Sequence, residues 1–132
     1  MRLCKFLLDT STLLLVSEGV DLSTKLQEDL DCDRVELYTL DAVVRELESL
    51  ASSRSVRKAP PARHALNYVR ERVAVLKAGE GEASGDNSIL KYAASNPEYI
   101  IVTLDERLRK LLKVAGVRVA TWWFSKRRFT TA

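Results

Sequence analysis

Leu3-Cys4-Lys5-Phe6-Leu7-Leu8-Asp9-Thr10-Ser11-Thr12 is the stretch whose reading decides the fold. The run Leu3 to Leu8 is a nearly continuous apolar segment, the pattern of a strand covered on both faces. Asp9 closes it, and Thr10-Ser11-Thr12 reads as a helix start. In a parallel sheet with helical crossovers all strands end on one side, so acids placed at strand ends converge.

The same pattern recurs along the chain. Leu13-Leu14-Leu15-Val16 continues the first helix, which stops at Gly19. A second helix is expected from Leu22 to Leu30, with Leu22, Leu26 and Leu30 at four-residue spacing. Val35 to Thr39 reads as a strand, and Asp41 as the cap of a helix from Ala42 to Ala51. Ser52 to Pro61 reads as a loop or a disrupted helix end because of its Pro pair. A helix from Ala62 to Arg72 and a short strand from Val73 to Leu76 follow. A Gly-rich loop, Gly79 to Gly85, leads to a helix from Asp86 to Ser95, which ends before Asn96-Pro97. The chain then gives a strand from Tyr99 to Thr103, a helix from Glu106 to Lys113, a C-cap at Gly116 and a last strand from Val117 to Thr121 or a little beyond. The expected architecture is an α/β three-layer sandwich: a central, mostly parallel, twisted sheet of about five strands flanked by helices. Neither an internal repeat nor a linker divides residues 1–132, so one domain is expected.

Four carboxylates stand out. Asp9 and Asp105 each close an apolar strand, and Asp86 opens a helix. Glu46 follows Ala42 and Val43 and precedes Leu50, so it shares an apolar helical stripe. Each has an ordinary explanation. Asp9, Asp86 and Asp105 suit helix N-caps, and Arg45 or Arg54 suits Glu46 as an ion-pair partner. Taken together they suggest a cluster, which repels itself unless protonated or bridged by a cation. An oxygen-only cluster selects Mg²⁺ or Mn²⁺, and such ions act on phosphate esters.

Other chemistries fit worse. A haloacid-dehalogenase-like phosphatase wants a second Asp where Ser11 stands. The glycines at 79–85 lack the Gly-Lys-Ser/Thr of a P-loop. His64 sits beside Arg63 in a basic helix and reads as a surface residue, and no Cys/His arrangement supports zinc. Cys4, in a buried strand, and Cys32, in a polar loop, are both expected reduced.

The 132 residues carry 46% hydrophobic and 30% charged side chains, the profile of a globular protein with a real core. No apolar run reaches the ~20 residues of a membrane helix, and no signal-peptide pattern opens the chain. A cytoplasmic place and no membrane partner are expected. Against 21 Lys+Arg there are 18 Asp+Glu. With the four acids held by cations, the remaining chain carries an excess of seven basic charges. A basic surface around an acidic pit suits a polyanion substrate. Backbone-binding candidates are Arg54, Arg57, Lys58 and Arg63 beside the Pro pair, and Lys126, Arg127 and Arg128 near the end. Trp122, Trp123 and Phe124 can stack on bases, although core packing or a homodimer contact is the favoured reading; the basic tail also reads as a solvated, frayed end.

Four segments in order resemble the PIN-domain nucleases. They are Leu7-Leu8-Asp9-Thr10-Ser11-Thr12-Leu13-Leu14, then Val43-Val44-Arg45-Glu46-Leu47, then Asp86-Asn87-Ser88-Ile89-Leu90-Lys91-Tyr92-Ala93, and Val102-Thr103-Leu104-Asp105-Glu106-Arg107-Leu108. Each is weak alone, whereas the ordered set is specific and spans nearly the whole chain. The resemblance implies an endoribonuclease that cuts RNA with one or two Mg²⁺ or Mn²⁺ ions. Asp9 and Asp105 would be the principal ligands, Asp86 a direct or water-mediated ligand, and Glu46 a ligand or the group orienting the water. Ser11 would hold Asp9 or a phosphate, and Thr103 would support the cluster from behind. Some relatives carry a further acid where this chain has Asn87, which leaves the second ion open; Asn87 can still coordinate weakly or touch phosphate. Two branches fit: the VapC-type toxin of a toxin–antitoxin pair, whose antitoxin protein would cover the pit, and a ribosomal-RNA-processing nuclease acting on a ribosomal precursor. A PIN fold serving as a non-catalytic RNA- or protein-binding scaffold is the alternative.

Overall fold

The computed structural model describes residues 1–78 and 85–132. Most of the Gly-rich loop expected at 79–85 lies outside the described residues. In chain order the elements are β1 (Leu3–Leu8), α1 (Thr10–Leu13) running into a 3₁₀ turn (Leu14–Glu18), α2 (Leu22–Asp29), β2 (Arg34–Leu40), α3 (Asp41–Ala51), α4 (Ala59–Arg72), β3 (Ala74–Leu76), α5 (Gly85–Ser95), β4 (Tyr99–Val102), α6 (Glu106–Val114), β5 (Val119–Trp123) and β6 (Arg128–Thr131). The strands form one six-stranded sheet in the order β3-β2-β1-β4-β5-β6. Every pairing is parallel except β5 with β6. Phe6, Leu7 and Leu8 of β1 and all of β4 are buried, as central strands with helices on both faces must be. The expected three-layer α/β sandwich is the architecture found.

The ends of the elements follow local chemistry. Gly19 adopts φ +85° and ends the first helical stretch, and Gly116 at φ +76° ends α6. At that second site the Gly116 and Val117 amides donate back to the carbonyls of Lys113 and Leu112. Asp41 is the first residue of α3 rather than the residue before it, yet its carboxylate accepts from the Ala42 amide at 2.9 Å and the Ala78 amide at 3.1 Å. It thereby ties the start of α3 to the chain leaving β3.

Three expectations are corrected. The Pro pair does not lie in a loop before α4. Pro60 and Pro61 sit in its first turn, where an absent N–H costs nothing. A sixth strand replaces the frayed basic tail: Arg128–Thr131 returns antiparallel along β5. Phe129 is fully buried against Trp122, ring centres 4.8 Å apart, and its amide donates to Asp29 of α2 at 2.7 Å. The two cysteines are not reduced thiols but a disulfide, Cys4–Cys32, with Cα atoms 6.0 Å apart. Their separation of 28 residues hides the proximity. The pairing of β1 with β2 brings Cys4 level with Val35, and a turn through Asp31 (φ 54°) carries Cys32 to the foot of that pair. Both are buried. Among the described residues no helix is long and apolar enough to cross a membrane.

Candidate active site

The C-terminal ends of β1 and β4 lie side by side, with Leu8 level with Val102. The chain continues that pairing for one more step, the Asp9 amide donating to the Val102 carbonyl. Asp9 then turns into α1, and its side chain accepts from the Thr12 amide at 2.9 Å. The helix cap read from the sequence is therefore present. The same carboxylate does more: Ser11 Oγ donates to both of its oxygens, at 2.8 and 2.9 Å, and Thr103 Oγ1 donates to Oδ2. Those two hydroxyls are themselves fixed, because the Leu104 amide donates to Ser11 Oγ at 2.9 Å and the Asp105 amide to Thr103 Oγ1 at 3.0 Å. Asp9 is thus held by residues from both strand ends. Thr12 and Thr39 complete the frame, their hydroxyls donating to the Val102 and Leu8 carbonyls. Sequence reading passed over Thr12 and Thr39, which gave no signal beyond a buried Thr near a strand end.

Asp9 is only 3% exposed. Loss of water pushes its carboxyl up to about 6, although the hydroxyl and amide donors pull the other way. Among the described residues no Lys or Arg pairs with it. Asp105 caps α6 by accepting from the Leu108 amide at 2.9 Å. Asp86 lies in the first turn of α5. Partial loss of water and then the charge of Asp105 raise its carboxyl above the usual range, against a smaller pull from Arg107. The buried side of α5 is carried by Ser88, Ile89 and Ala93, while Asp86 itself is exposed.

Glu46 is also exposed rather than buried. The centre of the α3 stripe is Val43 and Leu47, and Glu46 stands at its margin. The ion pair considered for it does not form among the described residues: Arg45 turns to Asp41 instead, at 3.6 Å. Exposure does not remove Glu46 from the site. Asp9, Glu46, Asp86 and Asp105 line one cleft of about 590 Å³, together with Ser11, Ser17, Arg57 and Lys58. Asn87 is exposed on α5 and is not among the described residues lining that cleft. Of the basic candidates, Arg57 and Lys58 reach the cleft. Arg54 is exposed outside it, and Arg63 donates to the Ala51 carbonyl at 3.2 Å, closing the end of α3. Lys126, Arg127 and Arg128 belong to the β5–β6 turn and β6.

Among the described residues no three of the acids stand close enough to share one ion. Their chemistry nevertheless fits a hard divalent cation: all donors are oxygens, Asp9 is buried with no counter-charge among the described residues, and the charge of Asp105 raises the proton affinity of Asp86. Asp9, Asp105, Asp86 and Glu46 are the residues that would hold it, once drawn closer than they stand here.

The family model described as PIN-like domain matches residues 6–122. The chain belongs to that family. The PIN fold is equally evident in solved structures. A structure of the PIN domain endonuclease Utp24 superposes with a TM-score of 0.79 at 19% identity, covering 96% of this chain and 90% of that one. A crystal structure of VapBC2 from Rickettsia felis, bound to a DNA fragment from its promoter, aligns with a TM-score of 0.61 at 12% identity over 90% of this chain and 99% of that one. Among curated protein sequences none matches significantly. At such identities the likeness speaks for the fold, and the chemistry of this PIN domain rests on its own cleft.

Proposed function

We propose that this PIN domain is a divalent-metal-dependent endoribonuclease that hydrolyses RNA phosphodiester bonds. One observation carries the reading: four carboxylates from four separate segments line a single cleft, and the most buried of them, Asp9, is oriented by donors from two neighbouring strand ends. One or two Mg²⁺ or Mn²⁺ ions, when bound, supply charge neutralisation at the phosphate and a more acidic attacking water.

The remaining work falls to the chain. Asp9 and Asp105 would be the principal ligands of such an ion, and Asp86 would bind it directly or through water. Ser11 and Thr103 hold the Asp9 carboxylate in place where it lines the cleft. Glu46, exposed on the rim, binds an ion or accepts a proton from the water. Arg57 and Lys58 draw the phosphate backbone toward the acids. Asn87, next to Asp86 on α5, remains a candidate contact for phosphate or a second ion.

Two biological settings suit this chemistry: the toxin of a toxin–antitoxin pair, with an antitoxin covering the cleft, and a nuclease maturing a ribosomal precursor. A cytoplasmic place is part of this proposal, and disulfides are exceptional there; burial of Cys4 and Cys32 shields theirs from soluble thiols. The test is cleavage of labelled single-stranded, hairpin and precursor ribosomal RNAs with Mn²⁺, Mg²⁺ or EDTA, wild type beside Asp9→Asn. Cutting is expected to need metal and to fall at least 100-fold in the variant. Folded protein that binds no Mn²⁺ and cuts nothing would move the fold to the scaffold role.

A further inference from the structure

The β5–β6 hairpin ends in Trp123-Phe124-Ser125-Lys126-Arg127-Arg128, and this tip takes no part in the cleft. Trp123 is 48% and Phe124 61% exposed, in a chain whose other two aromatics here, Trp122 and Phe129, are buried against each other. The tip is well anchored. The Lys126 and Arg127 amides donate back to the Trp123 and Phe124 carbonyls, and Arg127 takes φ 50°. Lys126 Nζ stands 5.5 Å from the centre of the Trp123 ring, and Arg127 lies 5.9 Å from that of Trp122. Two adjacent exposed aromatics among three exposed cations form a surface suited to a partner that is both flat and anionic.

The register places this tip relative to the acids. β5 runs parallel to β4, so it leaves the sheet at the edge where Asp9 and Asp105 sit. Leu8 is level with Val102, and Val102 with Ala120, so Asp9 is level with Thr103 and Thr121. Trp123 comes two residues later, roughly 7 Å further out, and two strands to the side, about 10 Å away. Side chains alternate along a strand. Trp122 takes the side of Phe129, which leaves Trp123 on the side of Thr121, Thr103 and Asp9. Arg57 and Lys58 line the cleft itself, from the α3–α4 segment. A chain of phosphates leaving the cleft along the strand ends past β4 and β5 meets the aromatic tip.

We infer that the β5–β6 tip is a platform for unpaired RNA: Trp123 and Phe124 stack on bases and Lys126 and Arg128 hold the flanking phosphates. Bases inside a duplex offer no free face to an aromatic side chain, whereas those of a single strand do. The inference rests on the nuclease reading for its place in catalysis, but the binding itself needs no cutting.

The test is therefore binding of the full chain to a short fluorescent oligouridine in EDTA, followed by anisotropy and by quenching of Trp emission. Trp123→Ala/Phe124→Ala is expected to weaken binding at least 10-fold with an unchanged far-ultraviolet spectrum. Lys126→Ala is expected to flatten the dependence of log affinity on log salt by about 0.7. Trp123→Phe, which keeps a ring to stack, is expected to retain most of the affinity while losing most of the quenching. Unchanged affinity in the double variant overturns the inference. So does equal competition by duplex RNA, or a dimer that sediments as such in wild type and as monomer in the double variant. Should the tip bind RNA while the wild type with Mn²⁺ cuts none, the platform stands and the nuclease reading fails. Metal-dependent cutting together with unchanged RNA affinity in the double variant gives the reverse: the nuclease reading stands and the platform fails.

Discussion

The carboxyl of Asp9 has three protein donors aimed at it and almost no water around it. Desolvation outweighs the donors, so its proton leaves at about 6 in the folded chain instead of 3.8. The sign of the consequence is set by which state holds the proton. Between pH 3.8 and about 6 the folded protein binds more protons than the unfolded one, so stability falls as pH rises through that window. Asp86 is shifted the same way and adds to the trend. Asp9→Asn removes the ionisation while keeping an acceptor for the Thr12 amide. In EDTA it is expected to be more stable than wild type at pH 7 by about 1–3 kcal/mol, with the advantage fading toward pH 4. Denaturant melts at several pH values check this; a variant less stable than wild type at pH 7 would show that the donors, not the lost water, dominate. At this scale much was legible. Asp9 and Asp105 at strand ends read as caps, and caps they are. Glu46 was misplaced because a helical stripe has margins, and three apolar neighbours do not distinguish its centre from its edge.

Secondary structure was legible wherever an apolar run met a turn signal, as at Asp9, Gly19 and Gly116. The β5–β6 hairpin was missed for a definite reason. Its turn, Phe124-Ser125-Lys126-Arg127, contains no Gly, Asn or Pro, and the left-handed residue is Arg127. Three basic residues in a row then look like a solvated end, whereas Phe129 among them buries its ring completely. The start of α4 was obscured differently, because a Pro pair breaks a helix in its middle and suits one at its first turn. The disulfide between the foot of β1 and the turn before β2 was invisible because spacing alone cannot pair two cysteines. Closing a loop of that length stabilises by roughly 3–4 kcal/mol. Cys4→Ala/Cys32→Ala is expected to lose about 2–4 kcal/mol in urea melts, and thiol titration of unfolded, unreduced wild type is expected to find no free thiol. Full thiol reactivity without reductant would mean that the pair is not joined.

Across the whole molecule, the strand order puts β1 at the centre and the acids where its crossovers part to left and right, the usual place for a ligand in an open parallel sheet. That much follows from strand–helix alternation in the sequence. What the sequence cannot supply is distance, and hence how far the four carboxylates must move to share an ion. A cation that binds only the folded state stabilises it by about 2.7 kcal/mol at one hundred times its Kd. Mn²⁺ is accordingly expected to raise Tm by several degrees at pH 7, less at pH 5 where a proton competes for Asp9, and hardly at all in Asp105→Asn. An equal rise in wild type and variant would remove Asp105 from the ligand set. The central position of β1 has one more consequence. Its left-hand partners, β2 and β3, are complete by Leu76, but one of the two hydroxyls that hold Asp9 belongs to Thr103, 94 residues after it. A ribosome making this chain therefore exposes Asp9 early and its clamp late. The growing polypeptide cannot complete this cleft until Thr103 and Asp105 have emerged, so the arrangement around Asp9 is set late in synthesis.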